Sequence, residues 1–76
     1  MCGIFAVTGV ENAAAELYVG LVHLQHRGQD AAGVITFDFN DPNNGIKISK
    51  DLGLVSDVLS ETKLLNMNGQ MGIGHT

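Results

Sequence analysis

The 76-residue sequence predicts an α+β fold, one helix laid against an antiparallel sheet. Three observations carry that prediction. An apolar run near the N-terminus is followed by leucines on a helical period. Two strand-like runs flank NDPNNG, a cluster of turn formers. The full order then reads strand, helix, strand, strand, short helical pieces, strand.

Residues 2–8, CGIFAVT, read as the first strand. Ile4 and Ala6 share one face and Phe5 and Val7 the other, so the pattern predicts a strand covered on both sides. Gly9 punctuates it, and Glu11 or Asn12 can cap a helix. That helix runs through about Gln25, with Leu17, Leu21 and Leu24 at i, i+4 and i+7. Gly20 inside it costs about 1 kcal/mol against alanine; either that cost is tolerated slack, or it marks close packing of helix on sheet. Gly28 is placed to stop the helix.

Residues 31–39, AAGVITFDF, read as the second strand, and IKISK alternates as a half-buried partner. The two predict an antiparallel hairpin with its tip near Pro42. GLVSDVL and ETKLLNMNG read as short helical pieces, and MGIGHT as the start of a further strand. A sheet with apolar residues on both faces needs a second layer that this length of chain barely supplies, so the sequence reads as the front piece of something larger.

Composition narrows the function. With 45% hydrophobic and 16% charged residues the chain has a globular makeup. A net charge of −4, with no clustered Lys and Arg, argues against nucleic-acid binding. One cysteine cannot staple a fold or build a Cys-based metal site. There is no secretory pattern and no stretch near the ~20 apolar residues of a membrane span, so the expected compartment is the cytoplasm.

The placement of Cys2 is the chemical signal. Cysteine is small enough to favour removal of Met1, which would put a thiol and a free α-amine on one residue. The reference values of the two groups, about 8.5 and about 7.7–8.0, lie close together, so such an amine can take the thiol proton without a separate histidine. His23 and His26 stand three apart with no well-spaced third and fourth ligand, which argues against a metal site. GQMGIGHT is glycine-rich but lacks the Gly-Lys-Ser/Thr of a phosphate loop; its glycines fit close backbone approach in a strand. In HRGQ, Arg27 either complements the end of the helix or offers a fixed cation to a carboxylate.

MCGIFAVTG, LQHRGQDAAGV, GLVSDVL and GIGHT resemble, in that order and spacing, the start of class II glutamine amidotransferases. MCGI with HRG is common to that class. The glutamine after the RG pair and the GLVS segment are similar to its phosphoribosyl-transferring branch, whereas asparagine synthetases and hexosamine-forming enzymes differ after the RG pair. The resemblance implies an αββα N-terminal-nucleophile hydrolase sandwich, here partial and incomplete at the C-terminus, with residues 1–76 the N-terminal part of a type 2 glutamine amidotransferase domain.

It also implies roles. Cys2 is the catalytic nucleophile on glutamine, and Arg27, Gly28, His75 and Thr76 are substrate-binding positions. The RG pair lines the nucleophile end of the pocket, and the HT pair leads to a glutamine-binding arginine. The expected partners are glutamine and, through a phosphoribosyltransferase domain outside this chain, phosphoribosyl pyrophosphate with magnesium. The whole protein is expected to be a homo-oligomer without nucleic acid or membrane, and no cofactor is expected within these 76 residues. The oxyanion donors lie beyond Thr76, so the isolated chain is expected to be inactive. A different class stays open beside the enzyme: a non-catalytic binding or assembly module.

Overall fold

The computed structural model describes residues 2–25, 30–43 and 45–76. Seven elements run in order: β1 (Ile4–Thr8), α1 (Ala13–Leu24), β2 (Ala31–Phe37), β3 (Ile46–Leu52), α2 (Val55–Val58), α3 (Glu61–Asn66) and β4 (Met71–His75). The four strands form one antiparallel sheet in the order β1-β4-β2-β3. The last strand therefore lies between the first and the second.

Side-chain sizes explain how β4 reaches that place. Its registers pair Gly74 with Phe5 and Val34, and Gly72 with Val7 and Thr36. All of these face α1. A side chain on Gly72 would start 2.7 Å from Leu17 Cδ1, and one on Gly74 would start 2.5 Å from Leu21 Cδ1. The two glycines thus leave the space that the helix leucines fill. Leu17 and Leu21 are fully buried, each worth roughly 1.5–3 kcal/mol of apolar burial.

The same layer gathers Ala14, Ala32, Val34, Val55, Val58, Leu59 and Met67 into one core, with Phe5 and Val7 packed against it. Two of its buried polar residues are bonded: Ser49 Oγ donates to the Val58 carbonyl at 2.9 Å, and Thr36 Oγ1 donates to the Asn68 carbonyl at 3.4 Å. Helix α1 starts where the sequence suggests, because the Asn12 side chain accepts from the Ala15 N–H at 3.2 Å. Gly20 is a close-approach position: any side chain there would strike the Phe5 ring.

Some boundaries differ from the sequence reading. Strand β1 begins at Ile4, and β2 ends at Phe37 because the next residue opens the turn, with Asp38 Oδ1 accepting from the Asn40 N–H at 2.9 Å. Strand β3 runs two residues past IKISK, to Leu52. The stop assigned to Gly28 lies outside the described residues; within them the helix ends at a Gln25 cap.

The expectation that β1 is covered on both faces meets a clear difference. One face of the sheet packs on α1 and α2. The other carries Ile4, Ile73, Ile35, Phe37, Ile48, Ile46 and Leu52, all exposed, and no described element covers it. The molecule is a two-layer slab measuring 38 × 20 × 16 Å.

Candidate functional site

The β1–β4 register sets out the site. Ile4 pairs with His75, and one step outward the Thr76 N–H donates to the Gly3 carbonyl at 3.0 Å. Continued by one more step, this register sets Cys2 opposite whatever position follows Thr76. Alternation puts Cys2 on the bare face, with Ile4 and His75. It also turns the Cys2 backbone nitrogen away from β4, toward the free edge of β1, since hydrogen-bonded and non-bonded pairs alternate along the ladder. Cys2 is an exposed free thiol. An N-terminal nucleophile needs a reachable sulfur and an amine not consumed by the sheet, and the ladder leaves both at this corner.

Gly3 keeps the corner tight. A side chain there would begin 3.1 Å from Leu24 Cβ and 3.3 Å from Thr76 Oγ1. The end of α1 therefore packs directly on the start of β1, which fixes the backbone that carries Cys2.

The two other described candidates separate. His75 lies on the Cys2 face, but its imidazole leans across β2: Nε2 is 2.6 Å from where a Gly33 side chain would begin. With Gly33, Ile35, Ile48, Lys50 and Ile73 it lines a hollow of about 190 Å³. Thr76 points the other way, into the layer beneath α1. It is 9% exposed, and its Oγ1 has no hydrogen-bond partner among the described residues. Arg27 and Gly28 lie outside the described residues. The position that sequence reasoning passed over is Gly33, the seat of the His75 ring; the signal was a glycine in an otherwise apolar strand.

Of the remaining histidines, His26 lies outside the described residues, and His23 uses Nδ1 on its own helix, 2.8 Å from the Val19 carbonyl oxygen. Among the described residues no three His, Cys, Asp or Glu come together as metal ligands, and no helix is long and apolar enough to cross a membrane.

The class of protein that this chain is similar to along its whole length is that of the amidotransferases. The particular relatives are amidophosphoribosyltransferases. The chain is 48% identical over 75 residues to that of Escherichia coli (strain K12), which covers 99% of this chain and 14% of the relative. It is 46% identical over 76 residues to that of Synechocystis sp. (strain ATCC 27184 / PCC 6803 / Kazusa), again covering 99% and 14%. In structure it is similar to the glutamine phosphoribosylpyrophosphate amidotransferase from B. subtilis, with a TM-score of 0.81 and 33% identity, covering all of this chain and 16% of that one. The chain thus spans about one seventh of the length of the curated relatives it matches. No family profile matches it.

Proposed function

We propose that this chain is the N-terminal segment of an amidophosphoribosyltransferase, and that Cys2, made terminal by loss of Met1, is its glutamine-cleaving nucleophile. The sulfur attacks the side-chain amide carbon of glutamine. Its proton passes through the α-amine to the departing nitrogen, which leaves as ammonia, and a glutamyl thioester remains. Water then adds to the thioester; glutamate leaves and the thiol regains its proton. Proximity does much of the work, since one residue carries nucleophile and base.

The observation that carries this reading is the exposed Cys2 thiol at the start of β1, in a chain matched along 99% of its length by amidophosphoribosyltransferases. The ladder adds support. Were the β1–β4 register continued past the bond between Thr76 and Gly3, an arginine in the next position would come opposite Cys2 on the bare face and could take the glutamine carboxylate beside the sulfur. The Thr76 N–H bond to the Gly3 carbonyl holds that register, and Ile4 and His75 share the Cys2 face of the sheet. The same proposal assigns glutamine binding to Arg27 and Gly28.

Two further parts belong to the same proposal. The bare sheet face is the inner face of an αββα sandwich, covered by a second sheet from the rest of the protein; buried apolar side chains explain why so many stand exposed here. The ammonia is consumed in a phosphoribosyltransferase domain that takes phosphoribosyl pyrophosphate and magnesium and forms phosphoribosylamine, within a cytoplasmic homo-oligomer. That chemistry lies outside this chain.

The test is Cys2→Ala in the full-length protein. Glutamine-dependent product formation should disappear while formation from added ammonia persists, because the thiol acts only in releasing ammonia. Glutamine turnover near the wild-type rate would refute the assignment.

A further inference from the structure

The GLVS segment of the sequence contributes no group to the Cys2 chemistry, yet its backbone is fully engaged. The Gly53 N–H donates to the Asp30 carbonyl at 2.8 Å, the Leu54 N–H to Asp57 Oδ2 at 3.2 Å, and the Val55 N–H to Gln25 Oε1 at 2.9 Å. Asp57 belongs to α2 itself. Gln25 and Asp30 come from the LQHRGQD motif, one on either side of positions 26–29. Two motifs far apart in the chain are therefore bonded to each other.

Gly53 makes this possible. Its φ of +121° is one that side chains rarely adopt, and a Cβ there would begin 3.3 Å from Asp57 Oδ2. The turn carries the chain out of β3 and into α2. Val55 follows, fully buried in the core, so its backbone is a firm anchor.

Gln25 sits at the other end of the bond. It caps α1, with its own N–H donating to the Val22 carbonyl at 3.4 Å, and its half-buried side chain crosses to α2. A helix end frays unless something holds it, because its last carbonyls lack helical partners. Here the last turn is tied down by the Gln25 side chain. Its final residue is Leu24, whose Cβ lies 3.1 Å from where a side chain on Gly3 would begin. Gly3 is bonded directly to Cys2. A line of contacts thus runs from the core at Val55, through the Gln25 amide and Leu24, to the backbone beside the thiol.

We propose that Gln25 is a positioning residue for glutamine cleavage: its side-chain oxygen, held by the Val55 N–H, fixes the last turn of α1 and, through Leu24 and Gly3, the place of the Cys2 sulfur. This rests on the reading of Cys2 as the nucleophile. A reacting atom misplaced by about 1 Å can cost on the order of 10²-fold in rate, so a loosened helix end should register in turnover.

The test compares Gln25→Met, Gln25→Glu and Cys2→Ala in the full-length protein, supplied with glutamine or with ammonia. Methionine keeps the length of glutamine but offers only a weakly accepting sulfur, whereas glutamate keeps an oxygen at the same reach. Gln25→Met should lower kcat with glutamine about tenfold and leave the KM for glutamine and the ammonia route within about twofold. Gln25→Glu should restore glutamine turnover to within about threefold of wild type. Four results would each overturn the proposal: unchanged glutamine turnover in Gln25→Met, parallel loss of both routes, a raised KM with kcat kept, or a Glu variant as poor as the Met variant. Cys2→Ala separates the two assignments. Glutamine turnover that survives in Cys2→Ala removes the nucleophile reading and the role of Gln25 with it; turnover lost there but kept in Gln25→Met removes the role of Gln25 alone.

Discussion

A cysteine is readily placed at residue 2; what makes it useful is decided by its neighbours. Gly3 lets Leu24 and Thr76 close on the strand start, and the ladder phase keeps the Cys2 nitrogen out of the sheet. Intact-mass measurement of protein made in cells with active methionine aminopeptidase should show Met1 removed; retention in most molecules would leave the Cys2 nitrogen as a peptide amide and sink the nucleophile assignment for that material. Glycines offer a second test, because they differ in what a methyl group would meet. At Gly72 it would stand 2.6 Å from the Ile35 carbonyl oxygen and 2.7 Å from Leu17 Cδ1. At Gly33 its nearest contact is the far end of the His75 ring, which can swing away. Urea unfolding of the full-length protein should therefore show Gly72→Ala destabilising by about 3 kcal/mol or failing to fold, and Gly33→Ala by about 1 kcal/mol. Equal costs would mean the backbone of β4 yields more easily than this packing implies.

At the scale of elements, α1 was the most legible part of the sequence. Its leucine spacing marked the buried stripe, and Asn12 marked its start. Removing that cap in Asn12→Ala should cost about 1 kcal/mol in the same unfolding assay. Gly20 tests the helix–sheet contact. Alanine gains about 1 kcal/mol of helix propensity, yet here it meets the Phe5 ring, so Gly20→Ala should be net destabilising by about 1–2 kcal/mol. Phe5→Leu should then recover part of the loss, since the two side chains compete for one space. A Gly20→Ala variant more stable than wild type would show that the ring moves aside at little cost. The hairpin was legible too, from NDPNNG between two apolar runs. Its ends were not, because Asp38 and Phe39 read as strand residues until their hydrogen bonds to Asn40 and Gln70 are seen.

At the scale of the molecule, the uncovered sheet face dominates. Ile4 and Leu52 are more than 70% exposed, and Ile73 and Ile48 stand between them. A contiguous apolar face of this kind seeks a cover. The 76-residue chain on its own should therefore self-associate and melt with little cooperativity, with neither disulfide nor metal ligand cluster among its described residues to brace it. Sedimentation velocity should show species larger than the 8.0 kDa monomer, and Ile48→Thr with Ile73→Thr should shift the distribution toward monomer. A monodisperse wild-type monomer with a sharp melt would mean that one layer of helices suffices.

By itself the sequence determined the element types, the helix stripe, the hairpin and the thiol at the chain start, because each is written in local spacing: a period of 3.6, a period of 2, a run of turn formers, a position number. It also carried the family likeness, since MCGI and HRG lie in contiguous motifs. Tertiary structure alone decided that β4 enters between β1 and β2, that the His75 ring lies over Gly33 while Thr76 is buried beneath α1, and that three scattered lysines converge on one edge. Those outcomes depend on strand register and on which faces find a partner to bury against. Both are set by contacts between residues far apart in the chain, and no local pattern records them.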